Sequence, residues 1–496
     1  MPGRYSIAIA VAAVLAALFL SGRSNAPPNA FPPVVGQNNT ALFLVTSDYG
    51  LSNVHLATAQ AILERHSQVR LHFASFAPMA ARLDRVSSFA AAGGSGIVFH
   101  PVEGLSVIDT CGTYGKNTSS SVHPPGWAGI NQLCKDMQLY VSPWSGEDHL
   151  AIYEQISRII DDVNPAVTVL DTIFRPALDA TRDKNRLHAI ISPNTLIENF
   201  PAEQPWGKMF WKYPAMGSGL PYPFISTMLW MPEIRGKQAY LRSKGLRDPI
   251  NFFALHRHDV PWLSQTTPGA SIPVDFIPQN VTCTGPMVLS VGTVADQDGG
   301  LARWLTRAPT VLINLGSGFK YSESSATVMA YAISKVLQAD SRVQVLWKVK
   351  KEGPYNDVFL DPLLPFITIE RARVESWLGA DPPSLLESGH IVASVHHGGS
   401  GCYHEAISAG VPQVVFPQWL DLYGFAQLVE YTGVGIWGCR KLSPSWSVDC
   451  ISEAILKVVH ADEMKAASQR LMQKASANPG RYIAAETIAR LAGSGS

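Results

Sequence analysis

Short apolar runs recur along this chain, each followed by turn-forming residues and then by a stretch of helical spacing. Ala41 to Thr46 (ALFLVT), Val69 to Ser75, Ala166 to Asp171 (AVTVLD) and Leu187 to Ser192 have the length and β-branched content of strands. Thr310 to Leu315, Val343 to Lys348, Ile391 to Val395 and Val414 to Phe416 repeat the pattern in the second half. Most are apolar without alternation, which marks parallel strands covered on both faces. His55 to Arg65, Leu150 to Val163, Tyr403 to Ala409, Ile451 to Ala477 and Arg481 to Leu491 read as helices. Strands alternating with helices predict an α/β protein, and 496 residues are enough for two domains. The rhythm runs through both halves, so the expectation is two facing Rossmann-like, doubly wound domains.

Composition changes this picture only at the edges. Formal net charge is zero, so no basic field points to nucleic acid. A phosphate ligand must then be held by local amides and dipoles. Arg4 precedes an apolar run from Ile7 to Leu20, which reads as a signal peptide or an uncleaved signal anchor over residues 1–23. Residues 24–40, rich in Pro and Asn, read as a linker. Asn38, Asn117 and Asn280 stand in Asn-x-Ser/Thr triplets, which fits the secretory pathway, membrane-anchored or lumenal in the endoplasmic reticulum. Cys111 with Cys134, and Cys439 with Cys450, are near enough in sequence to bridge surface loops, or the thiols stay free. Residues 93–145 are loop-rich, with many Gly, Ser and Pro, and are expected to cover the cleft. Residues 199–275 are dense in aromatics and proline, suited to an apolar acceptor or to packing against a bilayer.

Chemistry concentrates between Ile391 and Gln427. A buried strand leads into His396-His397-Gly398-Gly399-Ser400-Gly401, then a helix stopped by Gly410 and Pro412, then a strand and a loop carrying Asp421. Such a turn leaves backbone N–H groups and the positive end of a helix facing a diphosphate. His397 can donate to phosphate oxygens, Glu405 can accept from ribose hydroxyls, and Asp421 reaches the same cleft. HHGGSG is also similar to an esterase oxyanion loop, but the chain has no G-x-S-x-G nucleophile elbow. His396, His397, Cys402 and His404 are a candidate metal set; the turn is expected to splay them, so no metal is expected.

His397, Gly399, Glu405, Gly410, Pro412, Pro417 and Asp421 keep the order and spacing of the donor signature of family 1 UDP-glycosyltransferases, which the chain resembles. The resemblance implies the GT-B fold and a UDP-sugar as donor substrate, with no separate cofactor. It implies His397, Gly399 and the amides near Gly401 and Cys402 on the diphosphate, Glu405 on ribose and Asp421 on the sugar. Ser317 lies in a turn similar to the first loop of the family's donor domain, and Trp377 matches the residue that stacks on uracil. Gly285-Pro286-Met287 looks like the end of the first domain. The implied division is 41–285 for the acceptor domain, 286–305 for a linker, 306–477 for the donor domain and 478–496 for a helix crossing back, with its tail.

Departures from the family pattern carry weight. Gly401 and Cys402 replace its Asn and Ser, and Leu422 replaces the Gln after the aspartate. Leu51 occupies the position of its general base, and Pro176 that of the aspartate orienting it. Asp48, His55 and Asp171 are the substitute catalytic candidates. The expected activity is inverting transfer of a hexose from a UDP-sugar to an apolar, small-molecule or lipid-like hydroxyl acceptor. The alternatives are a catalytically silent UDP-sugar-binding protein of a membrane complex and a sugar-nucleotide epimerase.

Overall fold

The computed structural model describes residues 32–495 apart from 91–95, 117–119, 130–131, 133–138, 141, 201–203, 205–230, 252–256 and 420. Two parallel sheets organise it. The first holds β1 (Gln37–Leu44), β2 (Arg70–Phe76), β3 (Val98–Val102), β4 (Pro165–Leu170), β5 (His188–Ser192), β6 (Trp262–Ser264) and β7 (Val281–Cys283), in the order β3-β2-β1-β4-β5-β6-β7. The second holds β8 (Thr310–Ile313), β9 (Gln344–Lys348), β10 (Ala372–Glu375), β11 (Ile391–His396), β12 (Gln413–Val415) and β13 (Gly435–Trp437), in the order β10-β9-β8-β11-β12-β13.

Every pairing is parallel. In each sheet the winding reverses beside the first strand, between β1 and β4 and between β8 and β11. That reversal opens a crevice at the strand ends, where ligands of such sheets bind.

The core explains why the strand runs lack alternation. Along β1, Ala41 and Phe43 pack on one face with Leu56, Ile62 and Phe73, while Leu42 and Leu44 pack on the other with Ile152, Ile156 and Ile160. The second sheet divides likewise, with Val311, Ile313 and Trp347 on one side and Leu312 and Leu346 on the other.

Ten helices serve the account below. They are α1 (Tyr49–Arg65), α2 (Val107–Thr113), α3 (Gly146–Val163), α4 (Leu196–Asn199), α5 (Glu323–Ala339), α6 (Ser400–Ala409), α7 (Leu422–Tyr431), α8 (Val448–Val459), α9 (Asp462–Ser476) and α10 (Gly480–Ala492). Helix α10 lies on the first domain: Ala484, Ala485, Ile488, Ala489 and Ala492 share a core with Phe43 and Leu56. Four alanines let it approach closely. Tyr482 adds a hydrogen bond to Glu64 at 2.9 Å.

Several expectations change. Residues 93–145 are not all loop: β3 forms the sheet edge and α2 follows it. The β3 sequence VFHPV is half exposed and contains Pro101, tolerated because an edge strand leaves one side unpaired. The helix expected from His55 starts at Tyr49. The helix expected over Ile451 to Ala477 is two, α8 and α9, parted at His460 and Ala461, where His460 turns to Asp340 at 2.8 Å.

Cys439 and Cys450 form a disulfide. Cys134, Asn117, residues 201–203, 205–230 and 252–256 of the aromatic stretch, and the apolar N-terminal run lie outside the described residues. Among those described, no helix is long and apolar enough to cross a membrane. Asn280 donates its side-chain amide to the carbonyls of Arg257 and Val260.

Ile488 is fully buried at the meeting of α10 and the first sheet. Ile488→Ala should therefore lower stability by about 2–5 kcal/mol, the usual cost of such a cavity. A urea titration that leaves the midpoint unchanged would contradict this docking of α10.

Candidate active site

The turn after β11 is built by its own first histidine. His396 is buried, bonds Gln413 Oε1 through Nε2 at 2.8 Å, and accepts from the Gly398 N–H through Nδ1 at 3.0 Å. Burial pushes its pKa down to about 4, so it is neutral, with one nitrogen donating and the other accepting. Gly398 has φ +97°, and a Cβ there would lie 2.7 Å from the Leu422 carbonyl oxygen. The chain then enters α6, whose first backbone-satisfied amide among the described bonds is Tyr403, donating to the Gly399 carbonyl at 3.1 Å. The N–H groups of Ser400, Gly401 and Cys402, in the first turn, have no carbonyl of their own helix to bond.

Across that crevice runs the loop after β8. Gly316 has φ +85°, and a Cβ on it would come within 2.5 Å of His397 Cε1. The glycine lets the two loops close on each other, with Ser317 next in line. Burial, then the charges near it, push the His397 pKa down to about 3. The imidazole is neutral and offers a hydrogen bond, not a charge. Its Nδ1 is buried without a hydrogen-bond partner among the described residues.

Trp377, just past β10, is 49% exposed at the cleft mouth, with Tyr49 of the first domain 6.0 Å from its ring centre. Glu405 lies one turn into α6, its carboxyl pushed up to about 7 by burial and then by Asp381 and Glu387. Asp421 precedes α7, and burial pushes it up to about 6.

The structure thus gathers Ser317, Trp377, His397, Gly399, Gly401, Cys402 and Glu405 along one crevice, with Asp421 at the end that meets the first domain. It also corrects the geometry expected of the turn, which does not splay its ligand atoms. His396, His397 and Cys402 bring one each within 4.8 Å. Both nitrogens of His396 are engaged, however, and burial raises the Cys402 thiol so that it holds its proton. The set fits a neutral cradle better than a metal centre.

The catalytic candidates of the first domain fare differently. His55 is 0% exposed, set edge-on to Phe43 at 6.3 Å, and burial pushes its pKa down to about 3. It belongs to the core and cannot meet an acceptor. Asp171 is also buried and accepts from the backbone N–H groups of Thr46, Ile173 and Phe174 at 2.6–2.8 Å. It stitches the end of β1 to the turn after β4. Asp48 accepts from Thr46 Oγ1, Ser106 Oγ and the Val107 N–H at 2.6–3.1 Å, which anchors the start of α2. Both carboxylates stand at the strand tips where the sequence put them, holding backbone.

Two further groups escaped the sequence reading. Glu198, in the short helix α4 after β5, is held through Oε2 by Asn194 and the Thr195 N–H. Burial and then the charge of Asp421 push its pKa up to about 8. Thr195-x-x-Glu198 was visible as a capping box, a signal of helix start only. The other group is Lys348, the last residue of β9.

First-domain loops reach α6 directly. Gln265 donates to the Pro193 carbonyl and to Ser400 Oγ at 2.9 and 2.8 Å, and Tyr403 donates to the Ala270 carbonyl at 2.7 Å.

Comparison with known proteins agrees with this architecture. Residues 384–491 match the family model described as Erythromycin biosynthesis protein CIII-like, C-terminal domain. Glycosyltransferase sdnJ of Sordaria araneosa is 32% identical over 469 residues, 89% of this chain and 91% of that protein. The sterol 3-beta-glucosyltransferase of Leptosphaeria maculans is 28% identical over 223 residues, 44% of this chain and 14% of that protein. Among solved structures, the glycotransferase of kitacinnamycin superposes with a TM-score of 0.61 at 16% identity, covering 94% of this chain and all of that one. A UDP-glucosyltransferase from Polygonum tinctorium gives a TM-score of 0.60 at 16% identity, over 94% of this chain and 99% of that one. At such identities the two structures speak for the fold, which is GT-B. The long match to a glycosyltransferase speaks for descent, and this chain belongs to the family 1 UDP-glycosyltransferases.

Proposed function

We propose that this glycosyltransferase takes its sugar from a UDP-sugar and transfers it, with inversion, to a hydroxyl on an apolar acceptor. The observation that carries the donor half is the meeting of the Gly316–Ser317 loop with His397 and the open amides of α6, with Trp377 and Glu405 beside them. That set offers a ring platform for uracil, a carboxylate for ribose and N–H donors for a diphosphate. Inversion follows from an in-line displacement, with the acceptor entering from the first domain opposite the leaving diphosphate. An apolar acceptor is supported by exposed Tyr49 and Ile108 around Asp48, and by the sterol named for one group of relatives. On this reading Glu198 takes the acceptor's proton. Its basicity is raised, and Asp421, the carboxylate expected to hold the sugar, lies near enough to act on its charge.

The direct test is titration with UDP and UDP-sugars, followed by product analysis on a panel of apolar alcohols. No UDP binding by the folded protein would sink the reading. His397→Ala should leave the fold intact, weaken UDP binding and reduce turnover about 10²–10³-fold, as loss of one preorganised donor does. Wild-type affinity and rate in that variant would take the diphosphate away from this turn.

Glu198→Gln should keep UDP affinity while lowering kcat by about 10²–10⁴-fold, and the wild-type rate should climb with pH toward about 8 as the carboxyl ionises. Unchanged kcat in that variant would move the base elsewhere.

Glu405 gives a separate pH signature. Ribose hydroxyls donate to the ionised carboxylate, so binding favours the deprotonated form. Uridine affinity should be constant above the Glu405 pKa of about 7 and fall below it, by up to about tenfold per unit, as protons compete. Glu405→Gln should flatten the curve measured by NMR titration; a flat wild-type curve would contradict the ribose assignment.

A further inference from the structure

Lys348 ends β9 at the floor of the crevice and is only 5% exposed. Its ammonium donates to the Gly316 carbonyl at 2.8 Å and lies 4.4 Å from the centre of the Trp377 ring. Among the described residues it forms no ion pair with a carboxylate. A carbonyl and a ring face offset only part of the cost of holding an ammonium away from water. Lys350, two residues on, makes the contrast: it is half-buried and holds the Ser317 carbonyl at 3.2 Å from the more solvated side.

The surroundings indicate what completes Lys348. Gly316 separates it from His397, with the lysine on the carbonyl and the imidazole against the Cα. His397 is neutral, so the loops offer dipoles to a ligand that arrives with full negative charges. Among the described residues, Lys348 is a buried cation beside these loops whose partners are a carbonyl and a ring face, with no carboxylate.

We propose that Lys348 is the counter-ion of the donor's diphosphate and a catalytic residue of the transfer. The inference rests on the UDP-sugar reading above. In the reaction the bond from the anomeric carbon to the β-phosphate oxygen breaks, and its electron pair stays on that oxygen. The acceptor oxygen forms the new bond, and its proton leaves to the base. Charge on the departing diphosphate rises during the step, and the ammonium is placed to neutralise it without a metal. Burial pushes the lysine down to about 8, and an anion beside it would raise it again.

The test compares UDP with uridine, which shares the ring and ribose but has no phosphate. Wild type should bind UDP far more tightly than uridine. Lys348→Met and Lys348→Gln should each lose about 10–100-fold in UDP affinity, keep uridine affinity and lower kcat. The glutamine retains a donor for Gly316 and so separates charge from hydrogen bonding. Should both variants fail to fold, the wild-type protein still decides. Calorimetry at pH 8.5 in buffers of different ionisation enthalpy should detect proton uptake with UDP and none with uridine. A UDP-to-uridine ratio unchanged in a folded variant, or no uptake on UDP binding, overturns the role of Lys348. Failure of wild type to bind UDP at all would instead overturn the donor reading itself.

Discussion

One imidazole sets the geometry on which the donor side depends. His396, tied to Gln413 on β12 and to the Gly398 N–H, fixes how the chain leaves β11. Its two bonds bend the turn so that Gly398 passes under the Leu422 carbonyl and α6 begins just beyond it. His397, next in sequence, is thereby brought against Gly316. A parallel sheet alone delivers loops to one side of the molecule; this pair of bonds decides what the loop presents there. Neutrality is required, because a protonated His396 would have no lone pair for Gly398.

The electrostatics of the cleft follow from shortage of water. Burial holds His396 and His397 neutral, raises Glu405, Asp421 and Glu198, and lowers Lys348. Each group is held closer to its uncharged form than it would be in water. Such a site stores the cost of desolvation before a ligand arrives and relieves it when hydroxyls or phosphates supply the missing partners. Burial raises the carboxylates at the strand tips of the first domain as well, but they already have partners in the fold: backbone amides of Thr46, Ile173 and Phe174 on Asp171, and that of Val107 on Asp48.

Much of the fold was legible because strands covered on both faces read as apolar runs, and β1, β4, β8 and β11 sit at the centres of their sheets. The strands missed, β3, β6, β7, β10 and β13, are short or at edges, where half-exposed residues carry little periodicity. The donor residues were legible because one turn and one helix hold most of them at fixed spacing. Lys348 and Glu198 were not, since a lysine ending a strand and a glutamate in a capping box gain meaning only from what the fold brings opposite them. Asp48 and Asp171 drew attention for the right position but the wrong partner. His55 misled because helix α1 begins earlier than its apolar pattern suggested, which turns that imidazole inward.

The docking of α10 bears on how the protein is made. Phe43 and Leu56 lie near the start of the chain, yet the core they enter is closed by Ala484, Ile488 and Ala492. During synthesis the first sheet therefore emerges with part of one face uncovered, although α1 already packs there, and it stays so while the second domain is translated. The first domain is closed only after the second has been made. The apolar patch under α10 must wait for Ala484 to Ala492 to leave the ribosome, and that interval is when a chaperone has most to do.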